Sequence, residues 1–423
     1  MTETATLPGP DKGRRAAITF ILAVAVMDVM ALGIIIPVFP PLLEEFAGSR
    51  SEGALLQGVF VAVWCLMQFV ASPIVGSLSD RVGRRPVILF SAAGLAVDYV
   101  IMALAPDLWW LLIGRIISGI TTASFSVGFA YIADITPEEG RARAYGLLGA
   151  AFSAGFVLGP LLGGIIGELG PRAPFWAAGA VSAAVFVYGL FVLPESLPKE
   201  RRMAFSWGRA NPVGSLILLR RHPELFGLSL TNFLMHCAHY VFHTVVVLYV
   251  LHRYGWGGWK MGAMLALSGV LDVLVQSSVV GPVTRRLGER WTLVLGLAGG
   301  GLGLICVAFA TNGWLFALAM FPTALWGLAM PTSQSLMTRR VNPDEQGQLQ
   351  GANNSIISIA GLVSPLVMGS VYALAVGQYA HLGLPGAPFL LAGLIMVFAT
   401  LLAWRVTRAA TKAEAAAGGV TQT

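Results

Sequence analysis

Charge is scarce in this chain. Only 11% of its 423 residues are Asp, Glu, Lys or Arg, less than half the ~25% usual in soluble domains. Cysteine is scarcer still, at three residues. Cys65, Cys237 and Cys306 each lie inside an apolar run, without a partner at metal-motif spacing. This excludes a disulfide framework and a zinc site of the Cys-x-x-Cys kind, so the three read as packing residues. No GxxxxGK[ST] loop is present, which argues against direct use of ATP. No nucleophile, base and acid converge in the pattern, so neither an enzyme nor a cofactor is expected. What is abundant is hydrophobicity: 56% of residues, with a mean hydropathy of +0.75. That composition belongs in a lipid bilayer and leaves no large soluble domain. The net charge of +6 does not mark a nucleic-acid binder, because the basic residues sit in short loops between apolar runs.

Twelve apolar spans are expected, at 16–38, 53–75, 86–105, 108–132, 144–167, 174–194, 223–251, 258–282, 291–311, 313–338, 347–377 and 386–407. At about 1.5 Å of rise per residue, the first makes a helix of roughly 35 Å, enough to cross a bilayer. It is too long for a signal peptide, and no small-residue cleavage site appears before Pro37. Lys12, Arg14 and Arg15 therefore read as the cytoplasmic flank of a retained helix. Lys and Arg concentrate on one side of the expected membrane. The other side holds only Arg50, Arg172, Arg253 and Lys260, and Arg115 lies within a span. Basic loops stay in the cytoplasm, so both termini are placed there. The longest polar stretch, 195–222, reads as a cytoplasmic linker between six-helix halves 1–194 and 223–407, with 408–423 as a cytoplasmic tail.

The halves repeat. GSLSDRVGRR at 76–85 aligns with GPVTRRLGER at 281–290. Gly76, Arg81, Gly83 and Arg85 match Gly281, Arg286, Gly288 and Arg290 at an offset of 205. The same offset pairs Gly146 with Gly351 and Pro160 with Pro365. Parallel six-helix repeats are one established plan for transporters. The 76–87 loop resembles the signature of the major facilitator superfamily, and GFVLGPLLGG at 155–164 resembles the helix-five signature of its proton-coupled drug exporters. Within that group the chain is similar to the tetracycline/proton antiporters. The similarity is carried by MDVMALGIIIPVFP in span one, LMQF at 66–69, DYVIMALA at 98–105, GRIISGI at 114–120 and GQLQG at 347–351. The resemblance implies an all-helical, twelve-span fold with a substrate site between the halves, and proton-driven efflux of small amphipathic compounds by a monomer in the bacterial inner membrane. A proton-coupled nutrient importer and a non-transporting receptor remain open alternatives.

The short 76–85 loop demands a tight turn. Gly76 and Gly83 permit it, and Asp80 can cap a helix or pair with Arg81, Arg84 or Arg85. A purely topogenic basic loop would need neither the acid nor the glycines. The resemblance implies a latch, in which Asp80 and Arg81 bridge toward helix eleven. Gly155, Gly159 and Gly163, with Gly164 beside them, form a stripe that lets another helix approach closely, and Pro160 can kink the helix. Ordinary packing would explain the same stripe.

Ionisable groups inside spans are costly and are functional candidates. Asp28 stands near the middle of span one with no sequence-adjacent partner. Taken out of water, it can carry a proton or attract a cationic substrate group. Asp98 and Arg115 flank the turn at 106–107 symmetrically, so they fall at similar depth and can offset each other's burial. The pair reads as structural or as a proton-sensitive gate. Asp272 lies in span eight, where the tetracycline antiporters carry histidine. Those proteins also carry an acid in helix nine, where this chain has Gly300, so Asp272 is expected to take over the acidic role. His236, His239 and His243 share one face of span seven. Such a stripe reads first as packing, then as proton or substrate contact, and last as metal ligation, and no metal site is expected. The substrate cavity is expected to draw on Asp28, Gln68, Phe125, His236, His239, Tyr240, His243 and Asp272.

Overall fold

The computed structural model describes residues 10–122, 125–205, 211, 218–219, 223–342 and 345–420. Every regular element among them is helical. Ten helical runs there are long and apolar enough to cross a bilayer. A bent pair, α9 (Pro223–Thr244) and α10 (Val246–Tyr254), supplies a further span. The longest run, Gly258–Phe309, contains Gly288 at φ 77° and ψ 163°, a conformation foreign to a helix, and so holds two spans. The twelve expected spans are thereby accounted for.

Packing divides the chain into two compact units, residues 1–38 with 67–211, and residues 39–66 with 212–423. Helix α3 (Arg50–Val82) contributes its first part to the second unit and the remainder to the first.

The first unit contains α1 (Pro10–Ile35), α4 (Arg84–Leu104), α5 (Leu108–Thr122), α6 (Phe125–Ile135), α7 (Glu138–Gly167) and α8 (Ala173–Val192). Its most extensive seam joins α1 to α7, and the glycine stripe makes that seam possible. A methyl group on Gly155 would stand 2.8 Å from the Val26 carbonyl oxygen, and one on Gly159 would stand 2.6 Å from the Met30 oxygen. A methyl on Gly163 would run into the Ile34 carbonyl. From the other side, Gly33 of α1 meets Pro160 and Gly159. The backbones touch where side chains would normally separate them, gaining dispersion contacts in the absence of a hydrophobic drive inside lipid. Gly164 is buried one position further round.

The second unit contains α2 (Phe39–Ala47), the start of α3, the bent α9–α10 pair and α11 (Gly258–Leu274). A π-helical turn, Val275–Val279, links α11 to α12 (Val280–Phe309). Then come α13 (Gly313–Ala324), a 3₁₀ turn Leu325–Leu328, α14 (Ala329–Thr338), α15 (Gln346–Val376) and α16 (Ala387–Val420). Span seven, expected as one continuous helix, bends by 49° between α9 and α10. No Gly or Pro sits at the break. The run Thr244-Val245-Val246-Val247 is β-branched throughout, crowds the preceding turn and weakens the helix there. Val245 takes φ −115° and ψ −32°.

Helices α3 and α15 meet by the same device as α1 and α7. A methyl on Gly369 would lie 2.8 Å from the Ala54 carbonyl oxygen, and Gly58 faces the carbonyl of Pro365. Beside this seam, His252 Nε2 lies 2.6 Å from Glu44 Oε2, and its Nδ1 lies 3.0 Å from the Tyr372 hydroxyl. Arg50 Nε stands 3.9 Å from the same glutamate.

Candidate proton and substrate sites

The basic loop is held by charge. Helix α3 ends at Val82, and Gly83, at φ 111° and ψ 162°, turns the chain into α4. A side chain at 83 would collide with the Glu195 carboxylate. Arg84, with its side chain only 11% exposed, lies between two acids: Nη1 is 2.6 Å from Asp80 Oδ1, and Nε is 3.2 Å from Asp134 Oδ2. Arg84 also donates to the Ser79 hydroxyl at 2.6 Å. Glu195 Oε1 accepts from the Arg84 backbone N–H at 2.9 Å, and Glu195 Oε2 lies 3.6 Å from Arg202. The Met203 N–H donates to the Asp80 carbonyl at 3.0 Å, so the first part of the expected linker is fastened to the loop. Arg85 donates to the Leu190 carbonyl at 2.7 Å. Gly76 has open space beside it, and Arg81 is exposed. Within the first unit, then, the acid of the loop serves Arg84.

The second copy of the loop repeats the geometry with the charges exchanged. Gly288 takes nearly the same backbone conformation as Gly83. Glu289 occupies the repeat position of Arg84, and Arg339 that of Asp134. Glu289 Oε1 lies 2.9 Å from Arg339 Nη2 and accepts from Ser335 at 2.8 Å. Arg285 stands where the first copy has Asp80.

Four ionisable groups of the first unit share one neighbourhood. Asp98 is fully buried, and the Ser118 hydroxyl of α5 faces its carboxylate. Gly114 of α5 is pressed against Asp98 Oδ1 and Met102. Arg115 places Nη2 3.3 Å from Met102 Sδ, one turn from Asp98, and its charge acts on that carboxylate. The expected juxtaposition of Asp98 and Arg115 across the α4–α5 turn is present. Tyr99, wholly buried, feels the charges of Asp98, Arg115 and Asp28. Asp28 is half-buried, and its Oδ1 is enclosed without a partner among the described residues. Gln68 is half-buried on α3. Phe125 opens α6, and its side chain lies outside the described set.

The second unit gathers its own cluster. Asp272 Oδ2 accepts from Gln276 Nε2 at 2.7 Å, and the carboxylate rests against Gly327 of the 3₁₀ turn. The next residue of that cluster, Trp326, meets the His239 ring edge-on at 5.2 Å between centroids. His239 lies 5.2 Å from His243, and Tyr240 lies 5.5 Å from His243. The Tyr240 hydroxyl is 3.6 Å from Cys65 Sγ. Asp272, His239, Tyr240 and His243 thus belong to one region, where a π turn packs against a 3₁₀ turn. Such irregular turns often mark functional places in helices. The histidine stripe splits: His236 points away, toward α14 and α15, and its Nδ1 lies 2.8 Å from the Asn232 carbonyl. A side chain at Gly300 would have to push aside the Met396 methyl at 3.0 Å and Trp326 at 3.2 Å.

Sequence reasoning passed over Asp134 and Glu195, the partners of the basic loop, and Gln57, whose Nε2 donates to the His243 carbonyl at 3.2 Å. Asp134 and Arg339 share the 205-residue offset already found in the loops, a signal that was available.

The family model of the Major Facilitator Superfamily matches residues 21–365 and, in a second match, 273–421. The class C tetracycline resistance protein of Escherichia coli is 40% identical over 357 residues, covering 84% of this chain and 90% of that protein. The class G tetracycline resistance protein of Vibrio anguillarum is 37% identical, covering 86% and 92%. Among solved structures, the human organic anion transporter MFSD10 (TETRAN) superposes with a TM-score of 0.68 at 23% identity, covering 94% of this chain and all of that one. The nucleoside transporter NupG gives 0.75 at 12% identity, covering 93% and 99%. The latter two speak to the fold alone. With its paired loops, its helical spans and these relatives, the chain is a multi-pass membrane protein that belongs to the major facilitator superfamily.

Proposed function

We propose that this protein is a secondary active exporter, not an enzyme. It exchanges external protons for small amphipathic drug-like molecules, tetracycline among them, by alternating access. It works as a monomer in a bacterial inner membrane, with both termini and the 195–222 linker in the cytoplasm, between halves 1–194 and 223–407. Asp28, Asp98, Arg115 and Asp272 handle protons. Gln68, Phe125, His236, His239, Tyr240 and His243 join the two aspartates Asp28 and Asp272 in receiving substrate. The loop of Gly76, Asp80, Arg81, Gly83, Arg84 and Arg85 times the conformational cycle, and the close α1–α7 seam at Gly155, Gly159, Pro160 and Gly163 serves as a rigid body within it. The observation that carries this reading is a pair of intramembrane carboxylates: Asp98, fully buried with the charge of Arg115 acting on it, and Asp28, whose Oδ1 is enclosed without a partner among the described residues. Buried charge of that kind is retained in membranes chiefly for ion or substrate pathways.

The test uses everted membrane vesicles with an imposed gradient, acid inside. They are expected to accumulate tetracycline several-fold over the bath and to release it when the gradient is collapsed by nigericin. Accumulation indifferent to the gradient would defeat proton coupling. Orientation is tested separately, in a chain whose three native cysteines are replaced. A Glu200→Cys variant should resist an impermeant maleimide added to intact cells and react once the cells are opened. Rapid labelling from outside would reverse the topology.

A further inference from the structure

Helices α9, α14 and α15 of the second unit enclose a cavity that the proton-handling residues do not use. It offers about 90 Å³ to the centres of water-sized molecules, room for a handful of polar atoms and far too little for a whole drug-sized molecule. Apart from Met330 and Ile357, its lining is polar: Asn232, His236, Ser333, Gln334, Gln350 and asparagines 353 and 354. No charged side chain lines it among the described residues.

The hydrogen-bond inventory is incomplete in a specific way. Asn353 Nδ2 donates to Gln334 Oε1 at 2.8 Å. The two amides thereby use one donor and one acceptor on each other. Left over are the Gln334 Nε2 donor and the Asn353 Oδ1 acceptor, both buried and without partners among the described residues. The Ser333 hydroxyl is also buried and unpartnered there. A carbonyl can only accept, so His236 Nδ1 donates to Asn232, and the neutral ring keeps Nε2 as an acceptor. Buried polar groups are almost always satisfied. Here, three helices converge to present a donor beside an acceptor, with a hydroxyl and an imidazole nitrogen in addition.

We propose that this amide-lined cavity is a binding subsite for one uncharged, oxygen-rich edge of the transported molecule, a carbonyl adjacent to a hydroxyl or a carboxamide. Such an edge offers an acceptor to Gln334 and a donor to Asn353 simultaneously. The described lining is neutral and offers a cation no counter-charge, so recognition of cationic groups falls to other residues. The cavity is lined from the first two-thirds of α9, from α14 and from the first part of α15, and the turn between α14 and α15 is one that the basic-loop rule assigns to the cytoplasm. A substrate entering from inside therefore reaches this subsite early. The inference rests on the exporter reading above and adds to it a neutral recognition element.

The experiment measures binding to the full chain in lipid nanodiscs with two probes. Tetracycline carries a phenol, keto-enol and carboxamide edge. Tetraphenylphosphonium is an aromatic cation with no hydrogen-bonding group. Variants are Gln334→Met and Asn353→Leu, which keep volume but remove the amide. Gln350→Leu is added because Gln350 is exposed at the cavity and its replacement does not threaten folding. Tetracycline affinity is expected to fall at least 10-fold in the first two and about threefold in the third, while tetraphenylphosphonium stays within twofold. Unchanged tetracycline affinity, or parallel loss of both probes, overturns the subsite. A wild-type chain that binds tetraphenylphosphonium but not tetracycline overturns the subsite and removes tetracycline from the substrates, while export of other amphipathic molecules stands. One that binds neither overturns both.

Discussion

Asp28→Asn is expected to lower proton-driven efflux at least 100-fold while leaving the protein folded and able to exchange substrate. Asparagine matches the size and much of the hydrogen bonding of a protonated aspartate, but it has no proton to release. The Oδ1 of Asp28 is enclosed without a partner among the described residues, so the exchange breaks no hydrogen bond there and removes a buried charge that is expensive to keep. The variant therefore mimics a permanently loaded carrier. Substrate preloaded on both sides of a vesicle should still exchange, whereas uphill accumulation driven by pH should vanish. Asp272→Asn is expected to be at least as damaging to coupling. The second unit has no replacement acid at position 300, which is glycine, tightly packed against Met396 and Trp326. The Asp272 carboxylate accepts from Gln276, and an asparagine placed there can keep that bond through its carbonyl, so a loss would report the missing proton more than lost structure. Full pH-driven efflux in Asp272→Asn would remove the second acid from the scheme and leave Asp28 with the Asp98–Arg115 group as the proton route.

Gly159→Leu should prevent the first unit from folding. The α1 backbone passes so close that even a methyl would stand 2.6 Å from the Met30 oxygen and 2.7 Å from the Gly33 Cα. Backbone cannot rotate out of the way as a side-chain tip can, so α1 and α7 must separate along the whole seam from Gly155 to Gly163. Overpacking in a tight core costs ~1–3 kcal/mol for added methylenes, and a leucine wedged between two backbones belongs at or above the top of that range. The readouts are the yield of monodisperse protein from membranes and its melting temperature in detergent. Both should collapse for leucine and decline for alanine. Gly149→Ala, on the same helix but with open space around it, is the control and should leave both readouts unchanged. A Gly159→Leu protein with wild-type yield and melting temperature would mean that the seam yields, and with it the idea of α1 and α7 moving as one body.

The spans were legible in the sequence because lipid leaves few options: apolar length determines where a helix can cross, residue by residue. The bend at Val245 was written in a run of β-branched residues but masked by uninterrupted hydrophobicity. The Asp98–Arg115 proximity was readable because the two residues flank a short turn. Partners far apart in the chain were another matter. Glu44 and His252 are 208 residues apart, and no periodicity links them. Glu195 was hidden because a carboxylate in a polar stretch looks solvated, whereas here it accepts from the N–H groups that open α4. The amide cavity was invisible for a similar reason: single Asn and Gln residues at span ends are ordinary, and only the fold shows Gln334 and Asn353 consuming half of each other's hydrogen-bonding capacity.

The exchanged charges of the two loops have a consequence for how such a molecule can change over generations. Arg84 with Asp134 in one half and Glu289 with Arg339 in the other occupy corresponding places with opposite signs. Starting from one shared ancestor of the halves, neither partner can switch alone, because the intermediate would hold two like charges about 3 Å apart. The switch requires a neutral stepping stone or a near-simultaneous change of both, and Asp80 facing Arg84 enlarges the group that must move together. The heritable unit at this joint is the interacting set, not the residue. Homology between the halves survives in glycine spacing and backbone conformation while it is erased, and even inverted, in charge. Transplanting either loop into the other half would fail unless its distant helical partner travelled with it.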